Sequence, residues 1–217
     1  MVSGSGLNTL PGGRRFRYRT LKRVLDVIFS ALGIVLLAPG LVAVALTIWA
    51  VDGRPIFFFQ QRVGLGGKSF TLAKFRSMKI DSLDVEADDF SRVTSVGRRL
   101  RLLSLDELPS LVNILRGDMS FVGPRPLLLS YLAIYSSSHL RRHDVRPGLT
   151  GLAQVSGRNH LSWRDRLDLD VVYVESYSFR LDLSVLLRTL LVLVRPRGIN
   201  QSDGAIMDRL QDGYDRV

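Results

Sequence analysis

Two adjacent carboxylates, Asp106 and Glu107, stand in an otherwise basic neighbourhood: Arg98, Arg99 and Arg101 precede them, and Arg116 and Arg125 follow. They lie in the stretch Ser104-Leu105-Asp106-Glu107-Leu108-Pro109. Ser104 followed three residues later by Glu107 has the form of a capping box. Pro109 is comfortable only in a first helical turn, so a helix begins either at Ser104 or just before Pro109. In both cases the carboxylates sit at or beside a helix N-terminus, where the macrodipole favours negative charge. With Arg101 and Arg125 nearby, Asp106 is expected to titrate low and stay ionised. Such a carboxylate can act as a metal ligand or a nucleophile. The same residues also read simply as helix caps, so the choice rests on the rest of the chain.

A second chemical feature is Phe121-Val122-Gly123-Pro124-Arg125-Pro126. The two prolines fix the backbone around Arg125 and present its guanidinium with little freedom, as a bidentate phosphate contact requires. Without a ligand it is a rigid turn with a solvent-facing arginine. Other patterns are weaker. Gly66-Gly67-Lys68-Ser69 resembles the end of a phosphate-binding P-loop, but Arg62 stands where its first glycine belongs, so these glycines are turn residues. His139 and His143 are four apart with Arg141 and Arg142 between them, which reads as a polar helix face and not a zinc site. Residues 80–92 are acidic and polar and read as a solvated loop.

The chain has 217 residues and a net charge of +10, which calls for an anionic partner: nucleic acid, anionic lipid or a phosphorylated substrate. It has no cysteine, which excludes disulfides, cysteine-zinc sites and thiol catalysis.

The positioning elements begin at a membrane. Residues 1–20 read as a flexible basic N-terminus: Gly- and Ser-rich at first, then Arg14, Arg15, Arg17 and Arg19 with Phe16 and Tyr18 between. Lys22 and Arg23 continue the basic cluster, which suits anionic lipid headgroups. Residues 21–53 form the membrane segment, and Val27–Val51 holds no charge over roughly 25 residues, enough to cross a bilayer. Pro39-Gly40 divides that run, and Pro39 cannot donate to the carbonyl of Val35. Each half, at about 13 residues, is short of a ~30 Å core. Positive charge marks the cytoplasmic side, and both flanks carry it. A helix broken at Pro39 that enters and leaves on the same side meets both facts; an ordinary kinked crossing is the alternative.

Residues 54–200 read as the catalytic domain and 201–217 as a polar tail. Ile56–Phe59, the glycine turn and Phe70–Leu72 predict a β-hairpin. Helical periodicity runs over Val96–Leu115 and stops at Gly117. Leu127–Tyr135 predicts an amphipathic helix, and Ser162 to Asp165 another helix start. Trp163, Tyr173 and Tyr177 suit an interface. Leu181–Val194, too short to span, suits a helix lying on the bilayer. The fold class is α/β with predominant helix.

Taken in order, Lys74-Phe75-Arg76-Ser77-Met78, Ser104–Pro109, Gly117–Pro126 and Arg146-Pro147-Gly148-Leu149-Thr150-Gly151 resemble the bacterial sugar transferase family, the monotopic phosphoglycosyl transferases, in its minimal form. The resemblance implies transfer of a sugar 1-phosphate from a UDP-sugar to polyprenyl phosphate, with release of UMP. It also implies Mg²⁺, a re-entrant helix at the cytoplasmic face of the bacterial inner membrane, and a covalent intermediate on Asp106, which would also hold the metal. Glu107 would be its partner in the dyad. Arg101, Arg125, Lys74, Arg76, Arg146, Arg158 and Asn159 become the candidates for substrate binding, and a homodimer is in keeping with the family. One departure is Ala38 before Pro39, where relatives often carry Ser, so another group must satisfy the freed carbonyl. The competing class, a membrane-tethered nucleic-acid binder, explains the charge but not paired carboxylates among arginines, and no nucleic-acid motif appears.

Overall fold

The computed structural model describes residues 12–79, 92–157 and 161–194, with the backbone alone at 12–17 and at 193 and 194. The acidic loop, Arg158, Asn159 and the C-terminal tail thus lie outside the described residues. The chain is mostly helical with small sheets.

Helix α1 runs from Gly12 to Asp52. It departs from expectation twice. The basic segment is helical from Gly12, and from Tyr18 onward it is held by tertiary partners: the Tyr18 ring packs on Tyr177 at 5.0 Å, and Lys22 pairs with Asp182. The helix also continues through Pro39 without the expected break. Proline removes one hydrogen bond there, while residues on both sides of it pack on one body. Ile34 packs on the cluster of Leu72, Leu111, Ile114 and Met119, and Leu41, Val44 and Ala45 pack on that of Ile48, Phe75 and Leu100. The other face stays bare and apolar: Val35, Leu36 and Val42 are exposed.

The polar residues of α1 lie at its two ends and dock it. Arg23 donates to the carbonyls of Ile114 (2.6 Å) and Leu115 (2.8 Å), and Asp26 accepts from Ser120 Oγ and the Phe121 amide, both at 3.1 Å. At the far end Asp52 accepts from Thr94 Oγ1 at 2.8 Å.

Strands β1 (Phe57–Val63) and β2 (Ser69–Phe75) form the expected antiparallel hairpin, with Phe57 opposite Phe75 and Val63 opposite Ser69. Helix α2 (Ser95–Leu102) is capped by Thr94, whose Oγ1 accepts from Gly97 N at 2.9 Å. The single helix expected over Val96–Leu115 is divided. Ser104 adopts a left-handed conformation (φ 54°) with no side-chain cap, so the predicted capping box does not form. A 3-10 turn, Leu105–Ser110, carries the carboxylates, and α3 (Leu111–Arg116) follows, closed by Gly117 at φ 100° as expected.

Strand β3 (Ser120–Val122) pairs in parallel with β4 (Gly148–Thr150). Between them, Leu127–Tyr135 forms only a 3-10 turn, Leu129–Ala133, while Leu127, Tyr131 and Tyr135 join Leu167 in the core. Helix α4 (Ser137–Leu140) and a further 3-10 turn follow. His139 and His143 are buried here, not arrayed on a polar face; His139 Nε2 meets Asp168 Oδ1 at 2.9 Å. Helices α5 (Leu152–Ser156), α6 (Trp163–Ser176) and α7 (Phe179–Val194) complete the fold, α6 starting in the predicted Ser162–Asp165 capping box. Tyr173 is interior and so is no surface anchor, while Trp163 is half-buried against the core. Leu183, Leu187 and Leu191 of α7 are exposed.

Gly97 offers a test whose sign is unusual. Glycine to alanine inside a helix ordinarily gains about 1 kcal/mol. Here a Cβ would stand 2.0 Å from the Ser77 carbonyl oxygen. Gly97→Ala should therefore destabilise, by about 1–3 kcal/mol, and lower the apparent melting temperature in detergent. An unchanged or raised melting temperature would mean that α2 does not pack against Ser77.

Candidate active site

The carboxylate turn is held against the exposed edge of β2. Asn113, in α3, accepts from the Ala73 amide (3.1 Å) and donates to the Thr71 carbonyl (2.8 Å), so its amide acts as a strand partner. Ser110 Oγ donates to the Ala73 carbonyl at 2.9 Å. Lys74, the next residue on β2, then reaches Glu107 Oε1 at 2.8 Å. Arg125 Nη2 approaches the same oxygen at 3.3 Å. Arg101, near the end of α2, donates through Nε to Ser77 Oγ at 2.9 Å. A cleft of about 290 Å³ opens beside Lys74, Glu107, Ser110, Met119, Arg125 and Arg62.

The two carboxylates differ. Glu107 is ion-paired with Lys74 and Arg125 and faces the cleft. Asp106 is 8% exposed, behind it, and accepts no hydrogen bond among the described residues. Its pKa is raised and not lowered as the sequence suggested: burial is the main cause and the neighbouring Glu107 charge adds to it, against the opposing pull of Lys74, Arg101 and Arg125.

Of the candidate residues, Asp106, Glu107, Lys74, Arg101 and Arg125 converge here. Arg76 does not. It is buried with its guanidinium donating to the carbonyls of Asp52 (2.5 Å), Gly53 (2.9 Å) and Arg54 (2.9 Å), where it fastens the end of α1 to the hairpin. Arg146 lies elsewhere too, with Nε on the Gly117 carbonyl at 2.7 Å, in a separate cavity described below. Arg158 and Asn159 are outside the described residues.

The sequence reading passed over four contributors. Ser110 and Asn113 clamp the turn, and nothing in their type or spacing announces a β2 partner. Arg142 is wholly buried; it pairs with Asp170 (2.7 Å), binds Tyr135 Oη (3.0 Å) and donates to the backbone carbonyl of Arg125 (2.7 Å). It was read only as a neighbour of His143. Arg166, stacked 4.6 Å from the Trp163 ring, feels the charge of Arg125, and burial with that charge lowers its pKa. The α6 capping box fixed its helical phase, but not its distance from Arg125.

The donor set fits Mg²⁺. Hard cations take carboxylate oxygen, and Mg²⁺ commonly uses one or two carboxylates plus substrate phosphates. Asp106 offers a buried carboxylate with no hydrogen bond among the described residues, adjacent to a second one.

Similarity to known proteins bears on the chemistry. The family model described as bacterial sugar transferase matches residues 17–196. The chain is 45% identical over 200 residues to the uncharacterized sugar transferase EpsL of Bacillus subtilis, covering 90% of this chain and 98% of that protein. It is 44% identical to the UDP-glucose:undecaprenyl-phosphate glucose-1-phosphate transferase of Caulobacter vibrioides, over 84% of this chain and 74% of that one. It is 37% identical to the undecaprenyl-phosphate galactose phosphotransferase of Salmonella typhimurium, over 83% of this chain but 42% of that longer protein.

Arg142 supplies the prediction. Arg142→Met leaves Asp170 buried without its partner and should cost about 3–5 kcal/mol. Adding Asp170→Leu removes the stranded charge and should recover most of that loss in thermal unfolding. Turnover should stay low in the double variant, because the Arg125 carbonyl is still unheld. Full recovery of both would make Arg142 purely structural.

Proposed function

The chain belongs to the bacterial sugar transferases and is a phosphotransferase, and from that premise we propose that it moves a sugar 1-phosphate from a UDP-sugar to undecaprenyl phosphate through a covalent intermediate on Asp106. UMP is the leaving group, and the reaction is the first membrane step of glycan assembly. The relatives named for UDP-glucose and galactose transfer support a hexose donor.

The observation that carries this reading is the asymmetry of the dyad. A nucleophile needs a free lone pair. Asp106 accepts no hydrogen bond among the described residues, while Glu107 is engaged by Lys74 and Arg125. In the first step an ionised Asp106 oxygen attacks the sugar-bearing phosphorus. The phosphorus–oxygen bond to UMP breaks, and UMP departs with the electron pair. In the second step a phosphate oxygen of the lipid attacks the same phosphorus, and the Asp106 carboxylate leaves. Lys74 and Arg125 hold Glu107 at the mouth of the cleft and, with Arg101, supply positive charge where phosphate charge accumulates. Mg²⁺, held by Asp106 and Glu107, would neutralise the diphosphate.

Intact mass after incubation with UDP-glucose or UDP-galactose and Mg²⁺, without lipid acceptor, tests the assignment. A gain of one hexose phosphate mapped to Asp106, absent in Asp106→Asn, is expected, and Asp106→Asn should lose several orders of magnitude in turnover. An adduct on Glu107 would exchange the two roles. No adduct, with both substrates required together, would favour a single displacement.

The acceptor lives in a bilayer, so topology matters. Both flanks of Val27–Val51 dock on the same body, through Arg23 at one end and Asp52 with Arg76 at the other. That supports a helix that meets the membrane from one side, with the catalytic domain at the cytoplasmic face of the inner membrane. Single cysteines at Thr20 and Arg54 in this cysteine-free chain should both resist an impermeant thiol reagent in intact cells and both react after lysis. Labelling of one alone in intact cells would mean a spanning helix.

A further inference from the structure

A second concave site shares no lining residue with the catalytic cleft. Its wall carries Arg19, Lys22, Arg23, Asp26, Arg146 and Tyr177. Four cations face one carboxylate, an excess of positive charge held in a concave site.

Much of this charge already has structural work. Lys22 pairs with Asp182, both Nη atoms of Arg23 donate to α3 carbonyls, and Asp26 is occupied by Ser120 and Phe121. Two arginines keep open donors. Arg146 uses Nε alone, on the Gly117 carbonyl, which fixes its guanidinium and leaves the Nη edge without a hydrogen bond among the described residues. Arg19 makes neither a hydrogen bond nor an ion pair among them. One guanidinium is anchored and one is free, converging on one cavity. That arrangement suits the oxygens of a phosphate, which arginine binds through two parallel N–H donors.

Position selects the source of the phosphate. Arg19, Lys22, Arg23 and Asp26 occupy one face of α1, at i, i+3, i+4 and i+7. The uncharged run begins at Val27, the very next residue. If α1 enters the bilayer as proposed above, this cavity stands at headgroup depth, where basic side chains meet anionic lipid. We propose that it is a lipid-phosphate site, distinct from the Asp106 centre, that takes the phosphate of an anionic lipid between Arg19 and Arg146. The inference rests on the membrane reading of α1. It goes beyond a diffuse basic patch, because it assigns a bounded pocket that includes Arg146, over a hundred residues away along the chain.

The test uses the full chain in neutral detergent, wild type beside Arg19→Gln, with Arg146→Gln as a second variant. Arg19 is exposed and lacks a hydrogen-bonded partner among the described residues, so Arg19→Gln should fold normally, with the wild type's apparent melting temperature in detergent free of anionic lipid. Short-chain phosphatidylglycerol should raise the apparent melting temperature of the wild type, and short-chain phosphatidylcholine should not. The phosphatidylglycerol concentration for half the effect should rise about tenfold in each variant. A short-chain polyprenyl phosphate that competes with phosphatidylglycerol, with the same dependence on Arg19, would identify the acceptor as the lipid bound and support the site. Equal phosphatidylglycerol responses in wild type and both variants, or no response at all, would overturn it. So would an Arg19-dependent shift with inorganic phosphate at the same concentration, which would show that no lipid is required. Flotation with phosphatidylcholine vesicles separates the premise: failure of the wild type to float removes the membrane reading, whereas flotation of all three proteins without a phosphatidylglycerol effect removes only the pocket.

Discussion

The catalytic geometry depends on pairing the carboxylate turn with the edge of β2. A free strand edge presents unpaired amides and carbonyls, and here Asn113 and Ser110 satisfy those of Thr71 and Ala73. Each such bond contributes only about 1 kcal/mol net, but leaving a buried partner unmade costs about 1–3 kcal/mol, so the register is strongly preferred. That register decides which β2 side chain meets the turn. Lys74 falls beside Glu107, and a slip of one residue would turn it to the other face. Arg125 is set from the opposite side by Arg142, through its own backbone carbonyl.

The second constraint is the membrane helix. An apolar helix has little to hold it to a soluble domain in one orientation, since lipid tails solvate it as well as the domain does. The chain solves this by placing polar groups at the two ends of α1 and leaving the centre to packing. Arg23 and Asp26 bind α3 and β3; Asp52 and the carbonyls beside it bind Thr94 and Arg76. Both sets terminate on elements that carry the site: α3 follows the carboxylate turn, and Arg76 lies two residues beyond Lys74. The orientation of α1 and the placement of the carboxylates are thus fixed by neighbouring contacts.

Motifs and local elements were legible in the sequence. The hairpin, the Gly117 cap and the α6 capping box follow local rules, and the structure contains them. What failed depended on contacts between distant residues. Ser104 and Glu107 have capping-box spacing, yet Lys74 takes Glu107, and Ser104 turns the chain in a left-handed conformation. Arg76 sits in a basic motif and looked like a substrate ligand, but three carbonyls at the end of α1 claim it. Pro39 promised a break by its own chemistry, while packing on both sides of it carries the helix through. Spacing identifies which residues can react. Burial, which decides how they titrate, is a property of the assembled core.

That distinction underlies the roles proposed for the dyad. Two adjacent carboxylates with identical environments would be interchangeable; these have been separated by their surroundings. Glu107 is stabilised as an anion by two cations at the cleft. Asp106, buried and without a hydrogen bond among the described residues, is a costly anion in the resting protein, and the Glu107 charge increases that cost. A group destabilised as a free anion gains most from any step that spreads its charge. In the proposed reaction, bond formation to phosphorus would be such a step, because charge would move from the Asp106 oxygen onto a phosphoryl group near Lys74, Arg101 and Arg125. The burial that raises the pKa of Asp106 also strips its oxygen of water, so attack does not first require a hydration shell to be removed. The raised pKa and the proposed nucleophilic role therefore have one physical origin.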